Sequence, residues 1–426
     1  MNVPQAWQAL GFPPVDLASR YNVAIALLDS GVKLDHPDLA LRISPKYQFN
    51  PVKDFPPGVN DDFGHGTQMA GIIAALGRND QGIDGMMWGT TIMPCKVAES
   101  GDARPEALVD CLSWLARKID VDTLDVASVN YSFAAFCSVK ADIDAAEEGI
   151  RYLRAKGVLF VASAGNGAGD NDKLPRYPAS IPLSNIIAVT TADRDGTFVP
   201  NASGKRTVHV AAPGSDIIPI PVLNRDPLCV NILAGTSVAA AEVTGLIALL
   251  RAQDQLRKLS DPSYQERSWQ QIRNLVLAGG IQSVSLREVT ITGRMVRAWD
   301  DCPDDATKCT GSMTCRNQIV RRRLLPVRDP TPRQPGAKLL LRYLSINCET
   351  PIQVPVELVD VTDGTDAAPG PGVVIPSLND SHVPPDEVAD DGEYTGEWVV
   401  PNTPGRTYRI RFWSDDQEDL TVTVAQ

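Results

Sequence analysis

Between residues 22 and 299, short apolar runs alternate with longer stretches in which apolar side chains recur every three or four positions. VAIALL at 23 to 28, VASV at 126 to 129, VLFVAS at 158 to 163 and IIAVT at 186 to 190 are almost unbroken hydrophobic runs. Runs of that length without polar alternation predict strands buried on both faces. After Pro105, a residue suited to a first helical turn, Leu108, Cys111, Leu112 and Leu115 recur at helical spacing and predict an amphipathic helix. Strand and helix in repeated alternation predict crossover units, hence an α/β domain with helices over a mostly parallel sheet.

The pattern changes near Asp300. A cysteine-bearing stretch leads into LLPVRDPTPRQPG, with prolines at 326, 330, 332 and 335, and predicts a linker over residues 302–336. Beyond it the period becomes two: Tyr408, Ile410 and Phe412 fall on one side, and Thr407, Arg409 and Arg411 on the other. Similar runs at 338–346, 394–399 and 420–424, separated by turns rich in Pro, Gly and Asp, predict a small all-β, sandwich-like domain over 337–426. Residues 1–301 then form the α/β domain.

Charge narrows the functional classes. Among 426 residues, 52 acidic against 40 basic side chains give a net charge of -12, which repels nucleic-acid phosphates and anionic headgroups. The one dense basic run, Arg321 to Arg323, reads as a solvated strand end or linker rather than a binding patch. No stretch approaches the roughly 18 uninterrupted apolar residues of a spanning helix. The eight cysteines, at 95, 111, 137, 229, 302, 309, 315 and 348, include no CxxC pair, which disfavours zinc and leaves structural disulfides or free buried thiols.

Three polar residues stand where chemistry could be built. Asp29 ends the strand-like run VAIALLD, and open α/β sheets build their sites at such carboxyl ends. His65, in GHGTQMAG, opens a helix of small residues whose N-terminus would favour the neutral imidazole that a general base requires. Ser237, in GTSVAAAEVTG, opens another helix, whose orphan amides can help hold an oxyanion. Taken singly they read as a turn, a structural histidine and a helix cap. Their order, Asp then His then Ser, is the chain order of the subtilisin triad.

LLDSGV, GHGTQMAG and GTSVAAAEVTG together resemble the three signature segments of the subtilisin-like (S8) serine peptidases. The resemblance runs from about Val3 to Asp301 and takes in HPDL at 36 to 39, SAGN at 163 to 166, YPAS at 177 to 180 and AAPGSDI at 211 to 217. It implies a subtilisin-like three-layer domain and a serine endopeptidase that acts on proteins or peptides through an acyl-enzyme, with no catalytic cofactor. Ser237 would be the nucleophile, His65 the base and then the acid, Asp29 the orienting carboxylate and Asn166 the oxyanion donor. Ser132, Phe133 and Ala134 would form one wall for an extended substrate, and Ser163, Ala164 and Gly165 would lie near the primary pocket.

The family also implies structural calcium, with oxygen donors available from Asp38 and the loop at 77–85, and a second candidate near Asp390 and Asp391. It implies export, to an extracellular or periplasmic location, and a prodomain removed before the mature chain. Three departures limit the transfer. Val238 and Ala241 replace a methionine and a proline, and Glu242, read as a surface residue, replaces a frequent histidine. Ala134 and Ala135 stand where a glycine pair is common, so substrate preference is not fixed by the resemblance. Asp61 and Asp62, just before His65, suggest a preference for basic residues beside the scissile bond. A second reading is a catalytically silent binding or adhesion protein on the same fold, separated from the first by reaction with a serine-directed fluorophosphonate. With His65 as base, activity should fall on acidification at about pH 6 to 7.

Overall fold

The computed structural model describes residues 1–9, 23–217 apart from 53, 56, 100 and 136–138, 233–298, 320–327, 332–347, 356–412 apart from 372, 375, 382–385, 387 and 390, and 419–426. They fall into two compact units, Met1–Thr314 and Cys315–Gln426.

In the first unit the chain runs α1 (Val3–Ala9), β1 (Val23–Asp29), α2 (His65–Ala74), β2 (Thr90–Lys96), α3 (Pro105–Asp122), β3 (Val126–Tyr131), α4 (Lys140–Ala155) and β4 (Leu159–Ser163). It continues through β5 (Gly169–Asp170), β6 (Ile186–Ala192), β7 (Ala202–Ser203), β8 (Val210–Pro213), α5 (Thr236–Ser260), α6 (Trp269–Ala278), β9 (Ile281–Gln282) and β10 (Arg294–Met295). Among the described residues one large sheet has the order β2-β1-β3-β4-β6-β8-β10-β9, parallel except at the β10–β9 edge.

The apolar runs become central strands because both faces are covered. All seven residues of β1 are buried. Successive side chains leave a strand on opposite faces, so Ala24, Ala26 and Leu28 join the core with Leu108, Leu112 and Leu115 of α3 and Ile150 and Leu153 of α4. On the sheet's other side α5 packs along β1, β3, β4, β6 and β8. Its 25 residues continue through Ala241, where a helix-forming alanine keeps the backbone hydrogen bonding intact. Pro105 occupies the first turn of α3, as its spacing predicts. Cys95 of β2 is joined to Cys111 of α3 by a disulfide. The other six cysteines lie outside the described residues.

The second unit holds β11 (Val320–Leu325), β12 (Lys338–Ile346), β13 (Val356–Asp360), β14 (Glu393–Val399), β15 (Thr407–Phe412) and β16 (Leu420–Thr423). They form two antiparallel three-stranded sheets, β11-β12-β14 and β13-β15-β16. Leu341, Tyr343 and Trp398 from one sheet share a core with Tyr408, Ile410 and Phe412 from the other, and the Tyr343 and Phe412 rings stack at 5.1 Å. This is the two-layer, sandwich-like β packing expected.

The linker assignment needs correction. Val320–Leu325 is a strand paired with β12, and Arg322 and Arg323 are 5% and 2% exposed rather than solvated. Three consecutive arginines hid the strand because the chain there carries its burial on side chains that hydropathy counts as polar. Residues 302–319, the rest of that assignment before the strand, lie outside the described residues.

Candidate active site

Asp29 is the last residue of β1, 1% exposed, and Oδ1 accepts the Ser30 N–H at 2.8 Å. His65 is the first residue of α2, and its Nδ1 lies 2.7 Å from the same oxygen. The two elements meet because the start of α2 is nearly bare of side chains. A Cβ on Gly66 would come 2.1 Å from the Gly31 carbonyl oxygen, so only glycine permits this approach.

Hydrogen bonds fasten the junction. Ser30 Oγ donates to Asp61 Oδ1 at 2.9 Å and accepts the Gly66 N–H at 2.9 Å. Asp61 also accepts from Gly64 N, Thr67 N and Thr67 Oγ1 at 2.8, 2.8 and 2.6 Å. Burial lowers the His65 pKa, but the Asp29 carboxylate, through its charge and hydrogen bond, and the Asp61 charge outweigh it, leaving the net shift upward. This reverses the direction expected from a helix N-terminus alone: a carboxylate in contact exceeds the partial charge of a helix end.

Ser237 is the second residue of α5, preceded by Gly235 at φ 135 and by Thr236. Its hydroxyl donates to the Ser132 carbonyl at 3.0 Å, and Ser132 Oγ donates back to the Ser237 carbonyl at 3.2 Å. Asn166 follows β4, and its Oδ1 accepts from Thr236 N and Thr236 Oγ1, both at 3.0 Å. A Cβ on Gly235 would lie 2.9 Å from that amide oxygen. The amide is thus held by its oxygen, with the Nδ2 donors at the other end of the group.

His65, Asn166 and Ser237 line one cleft of about 470 Å³ together with Ser132, Phe133, Ala134, Ser163 and Gly165. The Phe133 ring packs against the imidazole, centroids 5.4 Å apart. Of the wall residues anticipated from sequence, Ala164 is the exception: it is fully buried beside Ala202 and Val208. Alternation along the chain leaving β4 sends Ser163 and Gly165 to the cleft and Ala164 to the core.

The cleft also includes Tyr177 and Pro178 of the YPAS segment, and Phe63, Asp102, Asp142 and Arg176, which nothing in the sequence singled out. YPAS was noticed as a segment, and the arginine just before it was the available signal. Glu242 is half-buried rather than on the surface and is not part of the cleft wall; burial pushes its carboxyl up to about 7, with the chain's amino group opposing.

The first oxygen donors expected for calcium are engaged in hydrogen bonds within the chain. Asp38 Oδ1 accepts from Asn79 Nδ2 at 2.7 Å and Oδ2 from Ile83 N at 3.2 Å, while Asn79 Oδ1 accepts from Gln81 N at 3.1 Å. These three oxygens each meet an N–H donor, and burial raises the Asp38 pKa despite those bonds. Near the second candidate site, Asp391 Oδ1 accepts from Glu393 N at 2.8 Å, and Asp390 lies outside the described residues. Among the described residues no three His, Cys, Asp or Glu side chains form a metal-binding group, and no helix is long and apolar enough to cross a membrane.

Solved structures with this fold include a lanthipeptide protease and a prenylagaramide maturation protease. Both have a TM-score of 0.52 and 21% identity; they cover 65% and 70% of this chain, and 85% and 95% of their own. In sequence, thermitase of Thermoactinomyces vulgaris is 31% identical over 254 residues, 59% of this chain and 80% of that protein. The thermophilic serine proteinase of Bacillus sp. (strain AK1) is 31% identical over 230 residues, 54% of this chain and 52% of that one. A profile of the subtilase family, peptidase S8, matches residues 20–278. That span exceeds half of the chain and carries Asp29, His65, Asn166 and Ser237, so the chain belongs to the subtilase family and is a subtilisin-like serine peptidase.

Proposed function

We infer that the chain is an endopeptidase in which Asp29, His65 and Ser237 act as the triad and Asn166 as an oxyanion donor. The observation that carries this reading is the placement of His65: Nδ1 is against the buried Asp29 carboxylate, and the imidazole shares a cleft with Ser237 and Asn166. A rotation about the Ser237 side chain turns its hydroxyl from the Ser132 carbonyl toward the imidazole, and such bonds often tighten only once substrate is bound.

Ser237 Oγ then attacks the peptide carbonyl while His65 Nε2 takes its proton. Asp29 keeps the Nδ1 proton in place and stabilises the imidazolium. The carbonyl oxygen, now negative, is met by Asn166 Nδ2 and by the Ser237 N–H, one of the orphan donors of the first turn of α5. Collapse expels the amine, which takes the proton from His65. Water, activated by the same imidazole, attacks the ester, and the acid leaves with Ser237 restored.

An extended protein or peptide segment suits the cleft, lying along Ser132 to Ala134 with side chains directed toward Ser163 and Gly165. The buried Cys95–Cys111 disulfide supports an extracellular or periplasmic location. A fluorophosphonate probe tests the reading: it should label the folded protein, and Ser237→Ala should abolish both labelling and casein hydrolysis. Labelling that survives this substitution, or casein left intact by the wild type before it is labelled, would overturn it.

A further inference from the structure

Asp61 and Asp62 suggested basic residues beside the scissile bond, but neither is part of the cleft wall. Asp61 is 3% exposed and is consumed by its bonds to Ser30, Gly64 and Thr67. The cationic side chain against the Asn166 loop is Arg176. Its Nη1 donates to the Asn166 carbonyl at 2.7 Å, and its Nη2 donates to the Gly167 carbonyl at 3.5 Å. A Cβ on Gly165 would lie 2.3 Å from Nη1, so the guanidinium is packed directly on the Ser163–Asn166 wall.

Those two carbonyls help to aim the group along the wall. Burial lowers the Arg176 pKa, yet a guanidinium keeps its proton in proteins. The next residue is pinned to the opposite wall: Tyr177 and Ala135 exchange backbone hydrogen bonds of 2.9 and 3.0 Å. A cation is thereby fixed between two walls of the cleft, beside the residue proposed to hold the oxyanion. The acidic residues of the wall, Asp102 and Asp142, come from other segments, one preceding α3 and one within α4.

We propose that Arg176 is a specificity-determining residue that selects a substrate carboxylate, Glu or Asp, on the residue whose carbonyl Ser237 attacks. This rests on the triad reading above. The geometry follows from chain connectivity: if the attacked carbonyl oxygen is at Asn166, the side chain of that same residue begins two bonds away and falls on the adjoining wall. A planar guanidinium recognises a carboxylate there through paired N–H donors, whereas a neutral amide of the same size offers no charge.

The test is a pair of internally quenched peptides differing only in Glu or Gln at that position, with cleavage sites read by mass spectrometry on the full chain. The wild type should cleave the Glu peptide with a kcat/KM at least about tenfold higher. Arg176→Gln should bring the ratio to about one, and Arg176→Glu should invert preference toward Lys at that position. Equal rates for Glu and Gln in the wild type overturn the assignment of Arg176, and this comparison needs no variant to fold. Cleavage abolished by Ser237→Ala isolates that failure from one of the triad. If no peptide is cleaved, or Ser237→Ala still cleaves, the triad reading and the selection by Arg176 fall together.

Discussion

Oδ1 of Asp29 serves two donors at once, the Ser30 N–H at 2.8 Å and Nδ1 of His65 at 2.7 Å. The backbone bond fixes the rotation of the carboxylate, so the imidazole meets an acceptor and is held with its proton on Nδ1. In Asp29→Asn the geometry can persist while the amide favours the wrong tautomer. The expected loss is about 10⁴ in kcat, measured on a peptide anilide with thermal melting as the control for folding. A loss below tenfold with an intact melt would remove Asp29 from the mechanism.

The pH profile should reveal the same contact. Burial acts to lower the His65 pKa, and the Asp29 and Asp61 carboxylates raise it above the ordinary 6.5 on balance. The free-enzyme limb of kcat/KM should therefore lie above 6.5, with activity rising as the imidazolium loses its proton. Stability runs the other way. A folded-state pKa above the unfolded value stabilises the fold below the unfolded pKa, and that contribution is lost as pH rises through the folded one. Kinetics and melting across this window should thus change in opposite directions. A kinetic limb below 6.5 would mean that desolvation prevails.

The residues proposed as the triad were legible because each is announced locally: Asp29 by a run of buried strand residues, and His65 and Ser237 by glycines that open helices. What escaped the sequence was what crosses between segments. Arg176 precedes a recognised tetrapeptide, but nothing local says that it folds back onto the Asn166 carbonyl. Asp61 looked like a cleft residue because it is four positions from His65, whereas its partners include Ser30, 31 residues away. In the second unit, period-two alternation exposed β15 directly, while β11 was hidden by arginines that tertiary packing buries. Hydropathy reports the usual fate of a side chain, and these are cases where partners far along the chain decide otherwise.

Asn166→Asp separates holding from donating. The carboxylate retains an oxygen for Thr236 N and Thr236 Oγ1, so the approach of the β4 loop to α5 should survive. The Nδ2 donors are gone, and a negative charge faces the developing oxyanion. A fall of at least about 10²–10³ in kcat with little change in KM is expected. If KM rises instead while kcat holds, Asn166 contributes to ground-state binding only.

The disulfide closes a loop between Cys95 and Cys111, 16 positions apart in sequence. Chain-entropy reasoning assigns such a loop about 3 kcal/mol, acting mainly through the unfolded state. Cys95→Ala combined with Cys111→Ala should lower the urea midpoint accordingly and leave fluorophosphonate labelling intact, since neither residue lines the cleft. An unchanged midpoint would mean that the bond contributes little beyond the packing around it.

Asp61 couples stability to chemistry, and one substitution can read both. Its carboxylate joins the turn after β1 to the start of α2 through Ser30 Oγ, Gly64 N, Thr67 N and Thr67 Oγ1. Asp61→Ala leaves these buried donors without their acceptor, which should cost about 3 kcal/mol or more in urea unfolding, less than the sum of four separate bonds because they share one group. The same change removes a negative charge that raises the His65 pKa, so the acid limb of kcat/KM should move to lower pH. Loss of stability with an unmoved limb would make Asp61 a strut alone. A limb that moves down shows that the residue bracing the helix also sets the pH at which the imidazole becomes a base.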